Sequence, residues 1–228
     1  MAKFSKIIRH NSENLLINNF IKIFKHALYK KIKKSKRFSF VLTGGDSPIK
    51  LYKKIAKLKK IPWDRIDFFI GDERYVNENS KYSNFNMCRK YLFKVLKIPS
   101  CQIFKISTNG KNIKNDVLKY EKILIRYFNN KKINFDFMLL GIGFDGHIAS
   151  LFKDNINSKS KKIVTPVKRK DFSRISLTLN SINSSSLILL WAPGKKKYKI
   201  IKKILSDKKK KYPVSFLRKK NNLLFYSN

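Results

Sequence analysis

The amino-acid sequence predicts an α/β fold, with a mainly parallel sheet and helices on both of its faces. Short, continuously apolar segments rich in aromatic and β-branched residues recur along the 228-residue chain, as expected of strands that are buried on both faces. Longer segments with apolar residues at helical spacing lie between them. Strands that alternate with helices in this way are typical of a doubly wound, modified Rossmann-like sheet.

The first three predicted elements are a helix, a strand and a second helix. Residues 12–31 carry apolar side chains at helical spacing. "FSFVL" at residues 38–42 is a short apolar run that ends at "TGG", a break in regular structure. Ser47 then suits the N-cap of the next helix, and Pro48 suits its first position.

The middle of the chain repeats this alternation. "IDFFIGDE" at residues 66–73 predicts a second buried strand that runs into a loop. Residues 84–96 and 111–129 have the apolar spacing of helices. "FDFMLLGIG" at residues 135–143 predicts a third buried strand.

The C-terminal part supplies three further strands and one helix. "RISLTL" at residues 174–179 alternates apolar and polar residues, and "SLILLWA" at 186–192 is another buried run. A Pro-Gly pair then breaks the chain before a helix, and "NLLFY" at 222–226 predicts a last strand. Residues 153–173 have the weakest pattern, and we expect a loop there.

The composition predicts a folded globular protein. Apolar residues make up 43% of the chain and aromatic residues 13%, which suits one domain over residues 1–228. No apolar run approaches the ~18–20 residues that span a bilayer, and the N-terminus lacks the apolar region of a signal peptide. We therefore expect a cytoplasmic protein with no membrane partner, as a monomer or weak homodimer.

The net charge of +39 first suggests a nucleic-acid-binding protein. Arginine contributes only nine of the 53 basic residues, however, and Asn, Ile and Phe are also abundant. Because this set of residues tracks AT-rich codons, mutational bias explains it without selection for binding. The lysines are spread along the chain and form no single basic tail. We expect weak, salt-sensitive adsorption to polyanions and no specific nucleic-acid partner.

Three loops that follow strands should meet in one crevice. In open α/β sheets, ligands bind beyond the carboxyl ends of the strands. The three loops at such ends are "TGGDSP" (43–48), "GDER" (71–74) and "GIGFDGH" (141–147).

The first two loops suit an anionic ligand. Gly44 and Gly45 allow backbone N–H groups to approach a phosphate closely, although a plain strand-to-helix turn has the same pattern. In extended chain Asp72 and Arg74 point to the same side. Arg74 is suited to clamp a phosphate or to stabilise developing negative charge; the alternative is a structural ion pair.

The third loop carries a candidate general base. His147 follows three glycines, and an imidazole can accept a proton from water near neutral pH. Asp145 is placed to orient the imidazole or to cap a following helix. A structural histidine is the alternative, and it is our interpretation of His10 and His26. A metal is a less favoured use of His147, because no second histidine or cysteine pair has ligand spacing.

The quoted loops and their flanking strands resemble the motifs of the 6-phosphogluconolactonase family in order and spacing. The matching segments are "TGGDSPIKLY", "IDFFIGDERYVNENSKYSNFNM", "FDFMLLGIGFDGHIASLF" and "RISLTLNSINSSSLILLWAPGKKK". The resemblance runs from about residue 38 to 205. It implies hydrolysis of a small sugar-phosphate substrate, 6-phospho-D-glucono-1,5-lactone, to 6-phosphogluconate in the oxidative pentose phosphate pathway, with no cofactor and no metal.

The resemblance also implies roles for individual residues. His147 corresponds to the base that activates water, and Arg74 to the charge stabiliser. Asp72 and Asp145 correspond to supporting acids. The remaining implied residues contact the phosphate or another part of the substrate: Thr43, Gly44, Gly45, Arg174 and Lys197.

Two alternatives stay open. The sister branch of the superfamily, glucosamine-6-phosphate isomerase/deaminase, has an acid where this chain has Phe152 and a tyrosine where it has Arg74. The chain could also be a non-catalytic binder of sugar phosphates or polyanions. Asp46 departs from the Ser or Thr that lactonases often have, and an acid beside a phosphate loop repels a dianion.

Overall fold

The computed structural model describes residues 4–110, 112–209, 211–218 and 222–227. The helices are α1 (Glu13–Ile32), α2 (Ile49–Ile55), α3 (Asn84–Cys88), α4 (Lys94–Leu96), α5 (Ile113–Tyr127), α6 (Leu179–Asn183) and α7 (Lys195–Leu205). A π-helical turn, Arg89–Phe93, joins α3 to α4, and short 3-10 turns lie at Trp63–Arg65, Ser100–Gln102 and Pro213–Phe216. The strands are β1 (Lys6–His10), β2 (Phe38–Leu42), β3 (Ile66–Ile70), β4 (Asp72–Arg74), β5 (Ile103–Phe104), β6 (Phe137–Gly141), β7 (Val164–Val167), β8 (Arg174–Leu177), β9 (Ile188–Ala192) and β10 (Asn222–Ser227).

Seven strands form the main sheet, in the order β1-β10-β9-β6-β2-β3-β5. Every pair of neighbouring strands in this sheet is parallel, which confirms the predicted α/β class. In the sheet, β3 and β5 follow β2 on one side, and β6 and β9 follow it on the other. The order therefore reverses at β2, and the loops after β2, β3 and β6 end side by side.

Helices cover both faces of this sheet, and aromatic side chains fill the two layers. Consecutive strand residues point to opposite faces, so Phe68 and Phe69 serve different layers. Phe68 packs edge-on against Phe93 in the π-helical turn, with ring centroids 5.4 Å apart. Phe69 packs against Tyr127 of α5 at 4.8 Å. Apolar strands in the centre of the sheet are thus buried from both sides.

The structure differs from the prediction in several places, which include the loop predicted at 71–74, where Asp72–Arg74 form β4. The strand predicted at 174–179 ends at Leu177 and lies outside the main sheet, in a three-stranded antiparallel sheet of order β4-β8-β7. The expected loop at 153–173 contains β7 of that same sheet. Helix α2 begins at Ile49 with Pro48 at its N-cap, one residue later than predicted.

No helix within the described part of the chain is long and apolar enough to cross a membrane.

We predict that Phe24 contributes strongly to stability in the layer between α1 and the sheet. Its ring is fully buried and contacts the rings of Phe20, Phe38, Phe40, Trp63 and Phe137. Phe24→Ala should lower the free energy of unfolding by about 3–5 kcal/mol, because it removes buried apolar surface and leaves a cavity. Denaturant titration followed by circular dichroism measures this change.

Leu118→Ala is the control, because Leu118 is 53% exposed on α5 and its truncation should change stability by less than about 0.5 kcal/mol. Equal losses in the two variants would contradict the proposed importance of the aromatic layer.

Candidate active site

The loops that follow β2, β3 and β6 surround a cavity of about 520 Å³. Seven of the nine residues predicted from the sequence line it: Thr43, Gly44, Gly45, Asp72, Arg74, His147 and Lys197. The other two lie close by. Asp145 contacts His147, and Arg174 lines an adjoining cavity of about 680 Å³, to which His147 also contributes.

Thr43 joins the ends of two strands. The buried Tyr52 hydroxyl accepts from the Thr43 N–H at 3.0 Å and donates to its carbonyl at 2.7 Å. Thr43 Oγ1 accepts from the N–H of Gly141 at 3.1 Å. Burial, chiefly, raises the pKa of Tyr52 well above its ordinary value, so the phenol keeps the proton that this arrangement needs. Thr43 therefore shapes the loop, and its own amide is already occupied.

The free amides of this loop belong to the next four residues. Within the described residues, the backbone N–H groups of Gly44, Gly45, Asp46 and Ser47 have no protein acceptor. Gly45 adopts φ +78°, a conformation that glycine favours. A side chain at Gly44 would collide with Asn84, since its Cβ would lie 1.8 Å from Asn84 Oδ1. The glycines thus permit a tight loop with four unpaired amides, and all four of these residues line the cavity.

Glu73 holds the second loop to the start of α3. It accepts backbone hydrogen bonds from Asn84 at 2.7 Å, Phe85 at 2.8 Å and Arg74 at 2.8 Å, and a hydroxyl bond from Ser83 at 3.0 Å. Burial raises the pKa of this carboxyl to about 7, and the four donors oppose that rise. Glu73 therefore has a structural role, because it holds β4 against the start of α3. The residues on either side of it line the cavity.

Those neighbours are Asp72 and Arg74. Ser150 Oγ donates to the Asp72 carboxylate at 2.6 Å, and Asn84 Nδ2 donates to the Asp72 carbonyl at 2.7 Å. Arg74 Nη1 donates to the carbonyl of Tyr82 at 2.9 Å. Both residues line the cavity, as their spacing predicted, and the hydroxyl of Ser150, three residues after His147, fixes the acid.

The imidazole of His147 is held from three sides. Its Nδ1 lies 2.5 Å from Asp145 Oδ1, and the same carboxylate oxygen accepts the His147 backbone N–H at 3.2 Å. The ring packs against Phe152, with centroids 4.4 Å apart. A Cβ on Gly143 would lie 2.0 Å from Nδ1, so only glycine leaves room for the ring. Burial raises the pKa of Asp145, but His147 outweighs it and leaves that pKa below its ordinary value.

Two further cations border the site. Lys197 Nζ donates to the Ile142 carbonyl at 2.5 Å and lies 3.8 Å from the centroid of Phe144. Burial lowers the pKa of Lys197, with Asp145 acting against it. Arg174 is opposite Arg74 in the β4–β8 ladder. Burial lowers the pKa of Arg174, and Asp171, which pairs with it, partly offsets this.

The structure adds residues that sequence reasoning did not assign to the site. Asn84 and Lys196 line the main cavity, and Phe152 and Arg169 line the adjoining one. Asn84 could have been assigned from the sequence, because it lies in "IDFFIGDERYVNENSKYSNFNM", one of the segments that resemble the family's motifs. Arg169 had no such signal, since it stands among lysines in the expected loop. Within the described ranges, no three or more His, Cys, Asp or Glu side chains are grouped to hold a metal ion.

A family model described as glucosamine-6-phosphate isomerases/6-phosphogluconolactonase matches residues 11–226. The 6-phosphogluconolactonase of Thermotoga maritima is 35% identical over 188 residues, which cover 82% of this chain and 82% of the relative. The 6-phosphogluconolactonase of a Nostoc species is 34% identical over 200 residues, which cover 85% of this chain and 83% of the relative.

Solved structures agree with these matches. The crystal structure of 6-phosphogluconolactonase from Thermotoga maritima superposes with a TM-score of 0.83 at 30% identity, over 97% of this chain and 98% of that one. The 6-phosphogluconolactonase from Trypanosoma cruzi superposes with a TM-score of 0.84 at 26% identity, over 99% of this chain and 95% of that one.

We predict that Glu73 gives the protein a characteristic pH dependence. Its pKa of about 7 in the fold exceeds the ordinary glutamate value of 4.5, so between these pH values the folded state holds a proton that the unfolded chain releases. Stability should therefore fall as pH rises through this window, by on the order of 3 kcal/mol. Unfolding titrations at pH 5 and pH 8 measure the loss.

Glu73→Gln should remove this part of the pH dependence, because the amide does not titrate. Carbon-13 NMR should show one glutamate carboxyl with a midpoint near 7 that disappears in the variant. A Glu73 carboxyl that titrates near 4, or a pH slope that Glu73→Gln leaves unchanged, would contradict the prediction.

Proposed function

Because the chain belongs to the glucosamine-6-phosphate isomerase/6-phosphogluconolactonase family, we propose that it hydrolyses 6-phospho-D-glucono-1,5-lactone to 6-phospho-D-gluconate, the lactonase step of the oxidative pentose phosphate pathway. The observation that carries this proposal is the placement of His147. Its imidazole is held by Asp145 in one cavity with a loop of unpaired amides and with Arg74. The chemistry needs protein side chains and water alone.

His147 is the general base in this proposal. Asp145 accepts a hydrogen bond from the Nδ1–H group of the neutral imidazole. The lone pair of Nε2 is therefore available for a water molecule. Nε2 takes a proton as the water oxygen attacks C1 of the lactone. The carbonyl oxygen then carries the negative charge. When the C1–O5 bond breaks, the protonated imidazole returns its proton to O5, and the acid product ionises and releases one proton to solution.

The phosphate lies at the other end of the cavity. We place it at residues 44–47, whose amides have no protein acceptor among the described residues, and Lys196 and Lys197 line the same cavity. Asp46 also lines it, and its side chain is exposed. The two lysines and the four amides offset its charge. Binding of the phosphate at a distance from C1 holds the ring in place against the base, and correct placement of reactants lowers the barrier.

The site favours the lactonase over the sister isomerase/deaminase. The isomerase branch has an acid where this chain has Phe152. Phe152 is buried and packs against the His147 ring, so no carboxylate is available there to shuttle a proton. Arg74 stands where the sister has a tyrosine, and a guanidinium suits an oxygen that gains charge.

His147→Gln should lower kcat for lactone opening by roughly 10²–10⁴-fold, because the amide cannot accept the proton from water. Proton release with the purified lactone, corrected for its spontaneous opening, measures the rate. His26→Gln is the matched control, since His26 is exposed on α1, outside the cavity, and its activity should equal that of the wild type.

Wild-type protein that opens the lactone no faster than buffer would refute the proposal. Ammonia release from glucosamine 6-phosphate would instead assign the sister activity, and ligand-dependent stabilisation without turnover would indicate a binding protein.

Gly143→Ala should reduce kcat strongly while the fold remains intact. The new Cβ would lie 2.0 Å from His147 Nδ1 and 2.8 Å from Asp145 Oδ1, so the imidazole must move out of its place. Gly141→Ala makes only an ordinary contact of 3.5 Å, with Thr43 Oγ1, and should retain far more activity. Thermal unfolding monitors the fold of both variants, and equal activity in the two would count against a precisely placed imidazole.

A further inference from the structure

The adjoining cavity is built around one aromatic ring. Phe152 is buried, and its ring is contacted by His147 at 4.4 Å between centroids. The guanidinium carbon of Arg169 lies 4.1 Å from the same ring centroid, and that of Arg174 lies 5.3 Å from it. One ring therefore supports the candidate base and two arginines together.

Charge in this cavity is predominantly positive. Its lining contains four cations, Lys168, Arg169, Lys170 and Arg174, and two acids, Asp154 and Asp171. Each acid pairs with one arginine: Asp154 with Arg169 at 2.7 Å and Asp171 with Arg174 at 2.5 Å.

These ion pairs leave some N–H donors of Arg169 and Arg174 without an acceptor in the described part of the chain. A guanidinium has five N–H donors, so a single ion pair does not use them all. Arg174 Nε also lacks a hydrogen-bond partner among the described residues, but this atom is buried and does not count among the donors that an anion in the cavity can reach. The pairs therefore fix the two arginines in place while part of each guanidinium remains able to bind an anion.

The reaction creates a second anionic group next to the base. The lactone carries charge only on its phosphate, whereas the product also carries a carboxylate at C1. The phosphate loop and Lys197 account for one end of the ligand. The new charge must appear within reach of His147, and His147 is the residue that borders both cavities. On its second side stand the two arginines supported by Phe152.

We propose that Arg169, together with Arg174, binds the lactone carbonyl oxygen and the carboxylate that forms from it, and that the Phe152 ring positions both guanidiniums beside His147. This inference rests on the proposed function, whose substrate it orients with the phosphate at residues 44–47 and C1 towards β8. Two guanidiniums aimed at an oxygen that gains charge bind the transition state and the product more tightly than the neutral ester.

The test compares two ligands that differ only at C1. 6-Phosphogluconate has a carboxylate there, and glucitol 6-phosphate has a hydroxymethyl group. Calorimetry with each ligand at about 0.15 M salt suppresses weak adsorption to the basic surface. Arg169→Gln should weaken the binding of 6-phosphogluconate by about ten- to a hundredfold, as expected for the loss of hydrogen bonds to a charged group. The affinity for glucitol 6-phosphate should stay unchanged.

Two further variants sharpen the result. Arg126→Gln removes the same charge from an exposed position on α5 and should change the affinity of neither ligand. Phe152→Leu keeps both guanidiniums but removes the aromatic ring on which they pack. It should weaken the binding of 6-phosphogluconate and not that of glucitol 6-phosphate, by a smaller factor than Arg169→Gln does.

Equal weakening of both ligands by Arg169→Gln would place the phosphate at Arg169 and overturn the inference. No change with either ligand, or wild-type protein that does not bind 6-phosphogluconate, would overturn it as well. These are binding measurements, so they are independent of turnover. A protein that discriminates the two ligands through Arg169 but does not open the lactone would keep the inference and refute the lactonase activity.

Discussion

The candidate site depends on the order of three neighbouring strands, β6-β2-β3, at the centre of the parallel sheet. Parallel strands end at the same edge, and the chain changes direction at β2, so the loops that follow these three strands must meet. The hydrogen bond from the Gly141 N–H to Thr43 Oγ1 joins the ends of β6 and β2. Since these two residues begin the histidine loop and the amide loop, this contact sets the separation between the imidazole and the unpaired amides.

Close packing of the loops against one another then gives the site its precision. Gly44 admits the Asn84 side chain, Gly143 admits the His147 ring, and Gly146 admits Tyr212; in each case an added Cβ would lie within 2.8 Å of the neighbour. Ala149, which lines the main cavity, adopts the left-handed conformation at φ +48°, a strained conformation for a residue with a side chain. Side chains held in this way cannot rearrange freely, which is what a preorganised catalytic group requires.

The sequence predicted best what local patterns and the parallel-sheet rule determine. The strand at 38–42 was predicted to the residue, and seven of the nine predicted site residues line one cavity, because loops after parallel strands converge whatever their length. The sequence analysis did not predict the edge strands β1, β4, β5 and β7. β5 has only two residues, which is too short for a recognisable pattern. The "KIIRH" of β1 lacks the continuous apolar run of a buried strand, because its side chains are largely exposed. Arg169 could not be singled out from the sequence, since no spacing in the chain indicates its contact with the Phe152 ring.

Acids are more informative than bases in a chain of this composition. The sequence has 53 Lys and Arg against 14 Asp and Glu, so a lysine at a given position says little, whereas the few acids can be examined one by one for the contacts that they make. Five of the fourteen acids are buried: Asp67, Asp72, Glu73, Asp116 and Asp207. A buried carboxylate is costly unless it is paired or hydrogen-bonded, and each of these has such partners: Arg37 and Tyr127 at Asp67, Ser150 at Asp72, three backbone amides at Glu73, Tyr75 at Asp116 and Ser215 at Asp207. Asp145 differs from these five, since its side chain is 58% exposed and its side-chain partner is an imidazole that has a positive charge only when protonated. Burial does not account for its position, so its contacts with the imidazole and the backbone N–H of His147 are what place it in the structure.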